Sequence, residues 1–297
     1  MTHVTVIIVS FNTREELLLC VGEALSVPDT DVIVIDNASS DGSADAVAAQ
    51  FPGVRLIRNV ENVGFAPAVN QGLVVGEGPY YLLLNSDTAD FAAAIPMLAA
   101  YLDANPDTGI VAPQLRHLDG TLQPSGRDVP SRWDEVFWSL SLYRLTGKKV
   151  ADRFFDPNRD YQKTCDVEEV SGACFLTRRE VLDRVGLLDE RFFFCFEDID
   201  YCIRVRAEGF RVVYLAGARL THAWGLSANN AGPSLSRRFL AGYFYYLDKT
   251  HGASFSILMR LLVALKAMLT IPVAVFRPGT MRSALDTLRI CAGFRPD

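Results

Sequence analysis

The chain has 297 residues, 49% of them hydrophobic, with a formal charge of −6 at pH 7, which reads as a globular protein able to bury one large core or two smaller lobes. Its six cysteines form no CxxC pair and no ladder of short spacings, which argues against a zinc site or a disulfide framework and for buried free thiols. The charge is uneven: residues 249–297 carry a net +5 and the remaining residues −11, so an acidic body precedes a basic, apolar tail, and no nucleic-acid partner is expected.

In chain order, "VTVIIV" (4–9), "VIVID" (32–36), "VRLIR" (54–58) and "YYLLLN" (80–85) are short apolar runs ending in polar or turn residues, the pattern of buried strands. Between them 14–25, 43–51 and 66–75 have apolar residues at helical spacing, and Ser43 follows the turn signal "SSDG". Such alternation predicts a mostly parallel α/β sheet with right-handed crossovers and a ligand crevice at the carboxyl ends of its strands. The polar residues expected there are Ser10, Asn12, Asp36, Asn37, Asp41 and the triplet Asn85, Ser86, Asp87. After about residue 115 the chain turns mixed, then resumes strand, helix and strand over 167–210.

Each motif allows a functional and a structural role. Asp36 and Asp41 could accept hydrogen bonds from a base or ribose, with the following turn facing an anion, or could shape that turn. Asp87, just past an apolar strand, suits a hard divalent cation that also binds substrate phosphates, or a helix N-cap. "ENVGFAPAVNQG" offers Gly64 for close backbone approach and Asn70 on a helix, or a plain glycine loop. In "RFFFCFEDIDYC" an apolar run ends in Glu197, Asp198 and Asp200; Arg191, Arg204 and Arg206 could neutralise them, or their surroundings could raise the proton affinity of a general base. His222, one of four histidines, fits a metal or phosphate contact as well as a structural one. The sequence has neither GxGxxG nor GxxxxGK[ST], which argues against dinucleotide and P-loop chemistry.

Taken together, "VSFN", "VIDNASSDGS", "NVGFAPAVNQG", "LLLNSDT", "SGACFLTRREVLDRVGLLDERFFFCFEDIDYCIRVRAEG" and "HAWGLS", in this order, resemble the family 2 inverting glycosyltransferases of GT-A fold, and within them the rhamnosyltransferase-like branch. The resemblance covers roughly 3–230. It implies transfer of a sugar from a nucleotide diphosphate to an acceptor hydroxyl with a divalent metal, Mg2+ or Mn2+. Carried over residue by residue, Ser10, Phe11, Asn12, Asp36, Asn37, Asp41, Gly64, Asn70, Asn85, Ser86 and Asp87 would line the donor site. Asp87 would be the retained ligand of the family's DxD metal motif, Asn85 standing where its first Asp does, and His222 would face metal and diphosphate. Ser171, Gly172, Ala173 and Trp224 would form the acceptor pocket, with Glu197 and Asp198 as the acidic pair and Asp198 the base. The donor expected from the resemblance is dTDP-rhamnose, with a UDP-sugar as the alternative, and the acceptor a glycan or lipid-linked glycan of cell-envelope polysaccharide assembly.

Three regions are expected: a nucleotide-sugar lobe (1–115), an acceptor and catalytic lobe (116–235) and a helical tail (236–297). In "FSILMRLLVALKAMLTIPVAVF" (255–276) Arg260 and Lys266 interrupt the apolar run, so a tail lying on an anionic membrane surface is expected rather than a span, or helices packed on the catalytic lobe or in a homo-oligomer. With no leader-like N-terminal segment, a cytoplasmic address is expected, peripheral at the inner face of the membrane. Two other function classes share the first lobe: a sugar nucleotidyltransferase and a non-catalytic nucleotide-sugar binder.

Overall fold

A computed structural model describes residues 3–142, 159–223, 234–274 and 278–294. The described strands are β1 (Val4–Ser10), β2 (Thr30–Asp36), β3 (Arg55–Arg58), β4 (Tyr80–Asn85), β5 (Thr88–Ala89), β6 (Thr108–Arg116), β7 (Leu122–Gln123), β8 (Gly126–Arg127), β9 (Cys165–Asp166), β10 (Glu169–Val170), β11 (Cys174–Arg178) and β12 (Arg211–His222). The described helices are α1 (Arg14–Ser26), α2 (Ser43–Gln50), α3 (Phe65–Val75), α4 (Ala94–Ala104), α5 (Arg132–Ser139), α6 (Arg179–Val185), α7 (Glu197–Ala207), α8 (Ser234–His251), α9 (Ala253–Ala274) and α10 (Pro278–Cys291). These residues fall into two compact units, one of 3–129, 159–192 and 197–223, the other of 130–142, 193–196, 234–274 and 278–294.

In the first unit the main sheet runs β3-β2-β1-β4-β11-β6-β12-β5. The first four strands are parallel, and β11 enters antiparallel between β4 and β6. Because strand side chains alternate, Val4, Val6 and Ile8 of β1 join the core under α1 and α4 while Ile7 joins the core under α3. Both faces are thus covered, which explains why these strands read as continuous apolar runs. The order reverses beside β1, and that reversal point is where an open parallel sheet leaves a crevice at its carboxyl edge.

Gly72 lets α3 lie close on this sheet. A Cβ there would stand 2.6 Å from Ile7 Cγ2 and 3.2 Å from Ile35 Cδ1, so Gly72→Ala is expected to destabilise the fold by about 1–3 kcal/mol through overpacking. Urea unfolding checks this; an unchanged midpoint would mean the helix shifts freely.

All six cysteines are free, and Cys20, Cys174 and Cys202 are buried. Burial drives the thiol of Cys20 up to about 12, so it behaves as a small apolar side chain.

The second unit is helical. Phe196 packs on Phe239, Tyr243 and Tyr246, stacking on Tyr246 at 5.4 Å. Cys195 and Phe196 both adopt left-handed backbone, with φ of 64° and 71°, a conformation that costs a non-glycine residue about 1–3 kcal/mol and that these ring contacts offset. Buried Glu135 accepts a hydrogen bond from the Tyr243 hydroxyl at 2.7 Å, and burial pushes its carboxyl up to about 7. In α9 the two charges that interrupt the apolar run point into the unit: Arg260 lies over the Phe244 ring and donates to the Ile290 carbonyl, and Lys266 donates to the Ser139 carbonyl and Ser141 hydroxyl. By length and composition alone, Ala253–Ile271 could cross a bilayer.

Candidate active site

Register puts the polar residues side by side: Ser10 ends β1 opposite Asp36 of β2, and Val9 pairs with Asn85 at the end of β4. The Thr13 hydroxyl is 3.1 Å from that of Ser10 and 2.7 Å from that of Ser86, so these hydroxyls weld two strand ends together. Phe11 is half-buried in the following turn. Asn12, left-handed at φ 54°, donates its N–H to Ser39 Oγ and accepts from the Ser40 N–H, joining the loops after β1 and β2.

Asp36 is buried, and its Oδ2 accepts the Ser39 N–H at 3.1 Å. Its Oδ1 is also buried but has no hydrogen-bond partner among the described residues. Native interiors rarely leave such an acceptor unsatisfied, and a base or ribose donor would satisfy it. Asp41 accepts from the Ser43 N–H and hydroxyl and from the Arg14 N–H. Burial works against its charge, but these bonds outweigh burial and hold its carboxyl below the ordinary range.

Asn37 and Asn70 have their side chains committed within the protein. Asn37 donates to Asn62 and the Gly64 carbonyl and accepts from Asn59 and the Val63 N–H. Asn70 donates to the Leu188 carbonyl and Glu190 and accepts the Leu188 N–H, tying α3 to the loop after α6. Gly64 opens α3 at φ 99°, a backbone region suited to glycine. Asn37, Asn70 and Gly64 build the loops around the crevice, and their sequence signal as polar residues near strand ends did not separate that work from ligand contact.

Beyond β4, Asp87 and His222 meet. Thr88 of β5 pairs with His222 at the end of β12, bringing His222 Nε2 to 3.3 Å from Asp87 Oδ1 and 3.4 Å from Asn85 Nδ2. His222 Nδ1 lies 2.8 Å from the Gln123 side-chain carbonyl. An amide oxygen only accepts, so Nδ1 carries a proton and Nε2 is the ring atom turned toward the Asp87 carboxylate. Two electron-rich atoms this close are stabilised by a cation or proton between them, and a hard cation would be held here by Asp87 and His222. Among the described residues no group of three or more His, Cys, Asp or Glu side chains could hold a metal, so this pair would share the ion with substrate oxygens. Gln123→Leu, which removes the partner that fixes the ring, is expected to weaken Mn2+ binding about 10- to 100-fold; titration followed by electron paramagnetic resonance checks it, and unchanged affinity would show that Gln123 does not orient His222.

The acidic pair lies at the start of α7, where charge favours a helix N-terminus, and Arg204 and Arg206 occupy its last turn. Half-buried Asp198 accepts the Gly172 N–H on Oδ2 and the Ile199 N–H on Oδ1, both at 2.9 Å. A Cβ at Gly172 would touch this carboxylate at 3.4 Å. Adjacent Ala173 accepts the Asn85 N–H through its carbonyl at 2.9 Å. One backbone bond therefore joins the segment carrying Asp87 to the segment that holds Asp198. Of the three arginines, Arg204 neutralises Asp200 of this acidic run, while Arg206 pairs with Glu168 and Arg191 with Asp189. The apolar surroundings act chiefly on Glu197: burial first, then the charge of Asp198, push its carboxyl well above the usual range, and its Oε2 is buried without a partner among the described residues. Arg127, ion-paired to Glu169 at 2.6 Å, feels the charge of Asp198. Gln123 and Arg127 come from a turn-rich stretch without periodicity, and no sequence signal marked them. Ser171 is half-buried beside Gly172; Trp224 lies outside the described residues.

Residues 5–186 match the model of the family described as Glycosyl transferase family 2. The chain belongs to this family. It is 27% identical, over 74% of its length and 76% of the relative's, to an N-acetylglucosaminyl-diphospho-decaprenol L-rhamnosyltransferase of Mycobacterium tuberculosis (strain ATCC 25618 / H37Rv). It is 28% identical to the O-antigen biosynthesis protein RfbC of Myxococcus xanthus over 73% of the chain, which spans 17% of that relative. Among solved structures, the mannosyltransferase PcManGT from Pyrobaculum calidifontis in complex with GDP-Man and Mn2+ superposes with TM-score 0.58 at 16% identity, covering 97% of this chain and 86% of that one. GalNAc-T7 with UDP, GalNAc and Mn2+ superposes with TM-score 0.55 at 15% identity, covering 75% and 43%. The fold of this family 2 glycosyltransferase is GT-A: a mostly parallel mixed sheet flanked by helices, with C-terminal helices beyond it.

Proposed function

We propose that the chain is a metal-dependent inverting glycosyltransferase that moves rhamnose from dTDP-rhamnose to a hydroxyl of a lipid-linked glycan at the inner face of the cell membrane. The observation that carries the reading is the backbone bond from the Asn85 N–H to the Ala173 carbonyl, which draws Asp87 and Asp198 to one end of the sheet. The relative's printed name, with its diphospho-decaprenol acceptor and rhamnosyl group, supports the sugar and the lipid.

Asp36, with its unpartnered Oδ1, accepts a hydrogen bond from the donor's base or ribose. Asp87 and His222 would hold the divalent cation, which would supply Lewis-acid stabilisation of charge on the departing diphosphate. Asp198 accepts the acceptor hydroxyl proton as that oxygen bonds to the anomeric carbon. The bond from that carbon to the diphosphate breaks on the opposite face, so a single displacement inverts the configuration. Gly172 and Ile199 N–H groups aim the Asp198 carboxylate, and at Glu197 burial and the charge of Asp198 favour the neutral acid, which spares the site a second negative charge. Turnover of a panel of nucleotide sugars with Mg2+ or Mn2+ tests the reading: release of dTDP from dTDP-rhamnose with transfer to a prenyl-diphosphate GlcNAc acceptor is expected, and preference for another donor would overturn the sugar assignment. Formation of the activated sugar from a nucleoside triphosphate would favour a nucleotidyltransferase, and binding without turnover a non-catalytic protein.

A further inference from the structure

Helix α9 presents an apolar face that nothing among the described residues of its own unit covers. Ile257, Leu258, Leu261, Leu265, Met268 and Leu269 are 48–70% exposed, and at 100° per residue they fall within an arc of about 120°. Met259, Val263 and Ala267, on the opposite side, are buried. Arg260 and Lys266 flank that buried side and are bonded within the unit, so the exposed arc carries no charge.

We infer that this face of α9 docks on an anionic lipid surface, the helix lying in the plane of the headgroups. Charge complementarity selects the occupant. With Arg260 and Lys266 set aside, residues 249–297 still carry a net +3, and neighbouring α10 exposes Arg282 and Arg289 on the same side as Leu285. Such cations are drawn to an anionic leaflet, whereas two copies meeting face to face would bring like charges together. Trp133, 75% exposed, follows Arg132, which donates to the His251 carbonyl ahead of α9, and indole rings favour the membrane–water interface. The in-plane orientation follows from the bonds of Arg260 and Lys266 and the burial of Met259 and Val263, all of which a span would strip. The choice of lipid over a protein partner rests on the lipid-linked acceptor proposed above.

Flotation of the full chain with vesicles of phosphatidylcholine, alone or mixed with phosphatidylglycerol and lacking any acceptor lipid, tests the surface separately from the reaction. The protein is expected to float with the anionic vesicles at low salt and to be released by added salt. Leu261→Glu with Leu265→Glu should lower partitioning about 100-fold, because two leucine burials are lost, with unchanged circular dichroism and donor turnover. Wild type remaining unbound to anionic vesicles, or the double variant floating equally well, would overturn the inference. So would a lipid-free dimer by size-exclusion chromatography that the variant converts to monomer, since the face would then belong to a second copy. Loss of dTDP-rhamnose turnover in a protein that still floats would instead count against the proposed reaction alone.

Discussion

Asp198→Asn is expected to lower kcat by about 100- to 10,000-fold, the contribution of a positioned general base, while leaving donor affinity nearly unchanged. The asparagine keeps the size of the carboxylate and one oxygen, so one of the bonds from the Gly172 and Ile199 N–H groups survives. The other N–H would face an amide NH2, but Asp198 is only half-buried, and water can take up the lost bond at small cost. What the variant lacks is basicity. Glu197→Gln provides the contrast: because burial and Asp198 already favour the neutral acid at Glu197, a neutral amide of the same shape should cost far less. Steady-state kinetics on both variants, with donor affinity by calorimetry, checks the pair. Wild-type turnover by the Asp198 variant would remove that residue from the role, and equal losses would show that the two acids act as a unit.

Asp87→Ala should abolish measurable Mn2+ binding and lower turnover by about 100- to 1,000-fold, the equivalent of several kcal/mol of charge stabilisation on the leaving diphosphate. The substitution also leaves His222 Nε2 facing only Asn85, while the Gln123 bond still fixes the ring, so the ring should keep its orientation. Metal affinity by electron paramagnetic resonance, in the presence and absence of nucleotide, gives a readout independent of activity. Retained Mn2+ affinity would locate the metal elsewhere. Retained turnover with metal affinity lost would mean that catalysis does not need it.

The first half of the fold was legible because both faces of its sheet are covered, and strands buried on both sides write themselves as unbroken apolar runs. Predicted 4–9, 32–36, 54–58 and 80–85 became Val4–Ser10, Thr30–Asp36, Arg55–Arg58 and Tyr80–Asn85. Strand β12 runs on through His222, and the pairing of His222 with Thr88 is a long-range contact that local pattern does not encode. The charges of α9 show the same limit. In sequence Arg260 and Lys266 break the apolar run; in three dimensions they sit on the flanks of the buried side and leave the exposed face uncharged.

The candidate site was legible as a set of acids and amides at strand ends, and its division of labour was not. Asn37 and Asn70 look like Asn85 in sequence, yet each spends its amide on backbone groups and neighbouring side chains. Asp36 is buried with one oxygen left over, whereas Asp41 is exposed with both oxygens bonded, a difference of packing. Gln123 acts through its oxygen on His222 from a two-residue strand too short to carry a pattern.

In the proposed reaction Asp87 and Asp198 serve one crevice from opposite sides of the transferred sugar. A crystal structure with dTDP-rhamnose and Mn2+ tests it most directly. The metal is expected on Asp87 and His222, the diphosphate on the metal, and the anomeric carbon between that diphosphate and the Asp198 carboxylate. A nucleotide bound away from Asp36 and Asp87, or a sugar whose anomeric carbon Asp198 cannot approach, would contradict it.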